Sequence, residues 1–177
     1  MADFMELAQT RQSCRAFLDK PVEHDQLKKC VEAARLSPSA CNSQPWSVVV
    51  VEDPKVVPEV AECTMQLGIN AYIKGAKAFF VVVEETAKLM PAIAKLAESQ
   101  IYARGDLGGF VLSLTLEAAS QGIGTCILGL FDRPRLRELL NIPKEKNIFL
   151  VIAAGYPKSD SVRPKERKPL EDIVRFV

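Results

Sequence analysis

DLGGFVLSLTLEAASQGIGTCILG, residues Asp106–Gly129, is the stretch whose reading decides the fold. Leu107, Phe110, Val111, Leu114 and Ala118 recur at the i, i+3, i+4, i+7 spacing of an α-helix. Leu112, Leu116 and Ala119 fill the opposite side, leaving Ser113, Thr115 and Glu117 as the main polar interruptions. A helix apolar nearly all round is covered on more than one side, and in so short a chain part of that cover is expected from a second copy. Gly122 suits the left-handed position that ends a helix. Ile123–Gly129 then reads as a strand with glycine near each end, where a ligand or another backbone often comes close. A core helix followed by a core strand accounts for the same pattern without any ligand.

Outward from this stretch, Ser47–Glu52 (SVVVVE), Ala78–Val83 (AFFVVV) and Ile148–Gly155 (IFLVIAAG) read as further apolar strands. Helices are predicted over Asp3–Thr10, His24–Leu36, Lys55–Met65, Pro91–Ser99 and Pro134–Leu140. Asp53-Pro54 and Asp132 stand where caps belong. Continuous apolar strands alternating with helices predict a sheet covered on both faces. The 177 residues fit a single domain, 1–177. The tail from Tyr156 to Val177 is rich in charge and proline and offers an edge strand to its own sheet or to a partner's.

Composition narrows the function classes. Lys+Arg 23 against Asp+Glu 22 leaves a net charge of +1, which argues against a nucleic-acid binder. No run reaches the roughly 18 apolar residues of a membrane span, and Met1–Glu6 lacks the basic start of a signal peptide. A cytoplasmic protein is the expectation. The five cysteines form no CxxC pair, and His24 is the single histidine, so no metal site and no Ser-His-Asp triad is expected. Gly122-x-Gly124 has Ile127 where the dinucleotide fingerprint needs glycine or alanine, and it lies at a helix-to-strand junction, the reverse of the fingerprint's order.

Two segments carry candidate chemistry. Arg11, Ser13 and Arg15 alternate, so an extended backbone points two guanidiniums and a hydroxyl one way, a receptor for a phosphate dianion. Ser37–Trp46 (SPSACNSQPW) is a loop rich in hydroxyl and amide groups able to bond the polar edge of a heteroaromatic ring. Ordinary surface arginines and a turn-rich connector are the plainer explanations of each. Phosphate-binding positions without an acid–base pair fit a protein whose cofactor does the chemistry.

Four segments in order, Arg11–Arg15, Pro38–Trp46, Asp106–Gly108 with Gly122–Gly129, and Arg163–Leu170, resemble the FMN-dependent nitroreductase family. The resemblance implies an α+β, three-layer fold of the nitroreductase type: a central mixed sheet flanked by helices, in an intertwined homodimer with FMN at the subunit interface. It places Arg11, Gln12, Ser13 and Arg15 on the phosphate and ring, and Pro38, Ser39 and Asn42 on a loop reaching the flavin from the other subunit. Ile127, Leu128 and Gly129 match the segment beside the isoalloxazine, and Lys165 and Arg167 the basic pair near the phosphate. A mid-chain amide contact falls to Gln66 or Asn70, and Arg15 is the candidate to stabilise the reduced ring. The implied activity is ping-pong transfer of electrons from NADH or NADPH through FMN to nitroaromatic, quinone or similar small acceptors. A short segment between Val83 and Asp106 implies an open acceptor site. Two alternatives stand beside it: a flavin-binding or flavin-processing protein without reductase turnover, and a thiol-redox protein using Cys41 or Cys126.

Overall fold

The computed structural model describes residues 3–95 and 98–177. In chain order the helices are α1 (Phe4–Thr10), α2 (His24–Ala34), α3 (Val57–Thr64), α4 (Pro91–Ala94), α5 (Ser99–Ser120) and α6 (Arg133–Leu139). The strands are β1 (Trp46–Val51), β2 (Ala78–Glu84), β3 (Gly124–Leu128) and β4 (Asn147–Gly155). Met1, Ala2, and Leu96 and Ala97 of the helix expected over Pro91–Ser99 lie outside the described residues.

The strands form one sheet in the order β1-β2-β4-β3. β2 is buried along its whole length, as its unbroken apolar run predicts. Side chains alternate between two cores. Phe79, Val81 and Val83 of β2 join Cys126, Leu128, Val151 and Ala153 in a core with Val60 and Cys63 of α3 and Leu136 of α6. Ala78, Phe80 and Val82 join Ile152 and Ala154 in a core with Leu27 and Cys30 of α2 and Leu107, Phe110, Leu114 and Ala118 of α5. Helices thus cover both faces, giving three layers in an α+β fold. The Trp46 and Phe110 rings, with centroids 5.0 Å apart, close the second core at the start of β1.

The expectation of a mixed sheet needs correction. All three ladders are antiparallel, and the parallel pairing among the described residues is an isolated bridge between Ser13 and Thr125. Apolar continuity reports cover on both faces, which the helices supply, but it carries no information on strand direction.

The central helix also starts earlier than predicted, at Ser99 rather than Asp106. Gly105, Gly108 and Gly109 weaken the local helix signal, and tertiary bonds override it. Gln100 Nε2 donates to the buried Glu84 carboxylate at 2.8 Å, and Gln100 Oε1 accepts from the Ala87 N–H at 2.8 Å. Asn147 Nδ2 donates to the other Glu84 oxygen at 2.5 Å. α3, by contrast, is shorter than Lys55–Met65, because Asp53 Oδ1 accepts the Lys55 N–H at 2.8 Å in a turn that precedes the helix. Asp132 caps α6 as expected, accepting from the Arg135 N–H at 3.0 Å.

Two surfaces stay open. α5 turns Ile101 (63% exposed) and Leu112 (52%) to solvent, and a Cβ added at Gly105, Gly108 or Gly109 would meet nothing within 4 Å. The tail after β4 forms a 3-10 turn at Leu170–Asp172 and no strand, so it does not extend its own sheet; Leu170, Ile173 and Phe176 are exposed. Among the described residues, no helix is long and apolar enough to cross a membrane.

Candidate functional site

The segment after α1 is held extended against the edge of the sheet. The Cys14 N–H donates to the Thr125 carbonyl at 2.8 Å, and the Leu18 N–H to the Tyr156 carbonyl at 2.8 Å. Cys14 and Phe17 turn inward and are buried. Two glycines make room for them: an ideal Cβ on Gly124 would stand 2.7 Å from Cys14 Cβ, and one on Gly155 2.8 Å from Phe17 Cδ1. The close approach expected at the strand glycine is therefore made by the chain's own backbone segment.

With Cys14 turned inward, Arg11, Ser13 and Arg15 line a cavity of about 550 Å³, together with Gln12, Gly122–Thr125 and Ser159–Arg163. Thr10, Cys14, Ala16, Ala119 and Pro157 complete its walls. The tail closes over this cavity. Lys165 Nζ donates to the Arg11 carbonyl at 2.7 Å, and Arg163 Nη2 to the Ser13 carbonyl at 2.6 Å. Desolvation lowers the Lys165 pKa, and the neighbouring charges of Arg11, Arg167 and Arg163 lower it further. Among the described residues no salt bridge engages Arg11, Arg15, Arg163, Lys165 or Arg167. Asp160 also lines the cavity, but it forms no salt bridge with these five cations, and cations outnumbering a single carboxylate fit a multiply charged anion.

Arg15 extends from this cluster toward β3. Its guanidinium lies 5.6 Å from the centroid of the Tyr72 ring. Burial pushes the Cys126 thiol up, opposed by the nearby Arg15 charge and by Tyr72. Farther along the strand, Ile127 is 41% exposed, Leu128 is buried and Gly129 is exposed. The Leu128 side chain is therefore turned into the core, and its backbone pairs with Val151 of β4. Asn70 sits at this end: its Nδ2 donates to the Thr64 carbonyl at 3.1 Å and to the Leu130 carbonyl at 3.4 Å, and its Oδ1 accepts from the Tyr72 hydroxyl at 2.8 Å. Of the two amides singled out in the sequence, Asn70 is the one bonded beside Gly129.

Pro38, Ser39 and Asn42 are not brought to the cavity. Their loop is fastened to the middle of α5, where the Ala40 N–H donates to Asp106 Oδ2 at 3.0 Å and Ser37 Oγ to Ser113 Oγ at 3.0 Å. Ser39 Oγ accepts the Gln44 N–H at 2.9 Å. Cys41, Asn42 and Gln44 have positive φ, and Cys41 is exposed. Asp106 and the cavity-lining Ala119 are thirteen residues apart on one helix, about 20 Å at 1.5 Å per residue. Within one chain the loop therefore stays on the body of α5 while the cavity meets the helix near its C-terminal end.

Sequence reading missed Arg163, Tyr72 and the anchoring role of Asp106. Arg163 enters the sequence reading only as the first residue of the Arg163–Leu170 segment, and Tyr72 gives no signal because its partners Arg15 and Asn70 are set by folding.

Comparison with known proteins agrees with this architecture. The family described as the nitroreductase family matches residues 8–156. A Thermus thermophilus NADH dehydrogenase is 32% identical, with 97% of this chain and 95% of that protein covered. A Bacillus subtilis FMN reductase [NAD(P)H] is 27% identical over 91% of this chain and 68% of its own. The crystal structure of a nitroreductase family protein from Streptococcus pneumoniae superposes with a TM-score of 0.85, 24% identity, and coverage of 99% of this chain and 100% of that one, a likeness of fold. The family match spans both the cavity segment and the α5–β3 stretch from which the site is built, and the chain belongs to the nitroreductase family.

Proposed function

We propose that this oxidoreductase is a single FMN-binding domain, 1–177, acting as a homodimer that passes electrons from NADH or NADPH to nitroaromatic, quinone or similar small acceptors in ping-pong order. The observation that carries the reading is the cluster of five cations at the cavity and the tail beside it, none of them in a salt bridge among the described residues and with Asp160 the single carboxylate in the cavity lining. It fits the phosphate end of FMN. The flavin, when bound, supplies a carrier that accepts a hydride from the nicotinamide and returns electrons to the acceptor.

The chain's own residues bind and orient. Arg11, Ser13, Lys165 and Arg167 hold the phosphate, with Gln12 in the same segment. Arg15, reaching from the cation cluster toward β3, places positive charge at the ring, where it favours an anionic reduced form. The backbone of Ile127–Gly129 borders the ring with its N–H groups, and Asn70, bonded to Leu130, lies beside it. Pro38, Ser39 and Asn42 of a second copy complete the site. Three observations support the second copy: the absence of Pro38, Ser39 and Asn42 from the cavity lining within one chain, the open stripe of Ile101, Gly105, Gly108 and Leu112, and the exposed apolar tail. The thiol-redox alternative loses ground at Cys126, which is buried and whose thiol pKa burial raises, opposing the reactive thiolate; Cys41 is exposed and lies outside the cavity lining.

The test is an absorption spectrum of the protein purified without added flavin, repeated after anaerobic NADH or NADPH, with light scattering for the mass. A flavin band that bleaches in a particle of twice the chain mass is the expected result. Protein that remains colourless and takes up no added FMN overturns the reading.

A further inference from the structure

The tail is joined to the Arg11–Arg15 segment by bonds that cofactor binding does not require. Gln12 Nε2 donates to the Ser161 carbonyl at 2.8 Å. Gln12 Oε1 accepts both the Arg163 backbone N–H at 3.2 Å and Arg163 Nε at 3.1 Å. The same guanidinium donates through Nη2 to the Ser13 carbonyl at 2.6 Å. Both ends of the Gln12 amide are thus occupied by the tail, and a planar guanidinium spans two acceptors in a fixed fork.

The choice of acceptors matters. Arg11, Arg163, Lys165 and Arg167 repel one another, and beyond the Phe17–Pro157 bridge the tail that carries three of them forms no strand to hold it. A carboxylate at position 12 would hold Arg163 but cancel part of the positive field. The amide oxygen and the Ser13 and Arg11 carbonyls hold the cations together while leaving their charge available to an anion.

We propose that Gln12 and Arg163 are positioning residues, a latch that fixes Lys165 and Arg167 of the tail opposite the Arg11–Ser13–Arg15 row instead of touching the flavin phosphate. This rests on the FMN reading above. Because the latch sets only the phosphate end, its loss falls on FMN and spares riboflavin, which shares the ring and lacks the phosphate.

Equilibrium dialysis of the whole chain and its Gln12→Ala variant against FMN and against riboflavin tests this, alongside trypsin cleavage of the tail in flavin-free protein. Gln12 is uncharged, so its removal does not alter the field directly. The expected result is about a tenfold loss of FMN affinity, the scale of one charge-assisted bond, with riboflavin affinity changed less than about twofold. Cleavage within Lys158–Lys168 accelerates in the same variant. Equal losses on both flavins, an FMN loss with unchanged cleavage, faster cleavage with unchanged flavin affinities, or no change at all each overturn the latch. If Gln12→Ala does not fold, Arg163→Lys, which keeps the charge and loses the fork, is read for the same signature. Wild-type protein that takes up neither flavin overturns the FMN reading itself.

Discussion

An ideal Cβ on Gly124 would lie 2.7 Å from Cys14 Cβ and 2.8 Å from Cys14 Sγ. The start of β3 and the cation-bearing segment therefore meet at a distance that only a residue without a side chain allows. Gly124→Ala forces the Arg11–Arg15 segment off the sheet edge or strains the strand. The expected cost is about 1–3 kcal/mol of stability, with less flavin retained on purification. A thermal melt and a flavin-to-protein absorbance ratio check it, and an unchanged ratio would show that the segment tolerates the shift.

Arg15 carries the cation cluster toward Tyr72 and Cys126 of β3, the strand to which the proposed site assigns the ring. Arg15→Ala should weaken FMN binding by about tenfold or more, from the loss of a charge-assisted contact. It should also slow flavin reduction, because the positive charge beside the ring is gone. Stopped-flow reduction by NADH or NADPH and a flavin titration measure the two separately. An unchanged rate and affinity would remove Arg15 from the site.

Asp106 anchors the loop that carries Pro38, Ser39 and Asn42, accepting the Ala40 N–H from the first half of α5. Asp106→Ala leaves that part-buried N–H without its acceptor, at about 1–2 kcal/mol. It also frees a loop whose residues 41, 42 and 44 already hold positive φ. Asp106→Asn keeps an acceptor oxygen and should retain most of the stability and flavin affinity. Chemical denaturation and flavin titration of the pair check this; equal losses in both variants would assign the effect to the charge of Asp106.

The strands were legible because their side chains are apolar without interruption, a pattern fixed by burial alone. β2 and β4 were found within a residue or two for that reason. Strand direction was not legible, since both parallel and antiparallel sheets covered on two faces produce the same run. The first turns of α5 were hidden because Gln100 and Arg104 stabilise them through Glu84, a contact between residues far apart in sequence. Arg11, Ser13 and Arg15 could be read locally, because alternation in an extended segment is a local property. Their link to Lys165 could not, since it depends on a tail that returns more than 150 residues later.

Glu85 gives the protein a predictable acid sensitivity. Lys146 donates to its carboxylate, and Ser47 Oγ donates at 2.7 Å; together they hold the Glu85 carboxyl below its ordinary value of 4.5. A carboxyl depressed in the folded state binds fewer protons folded than unfolded. Its contribution is therefore fully present above the unfolded value and is lost as pH falls through the folded value. Wild-type protein should melt higher than Glu85→Gln at pH 7, and the gap should close as pH is lowered from about 5 toward the folded value. Lys146→Met should show the same convergence, because it removes the main cause of the depression. Melting curves of the three proteins across that range decide it, and a gap that stays constant with pH would show that the pair acts by packing.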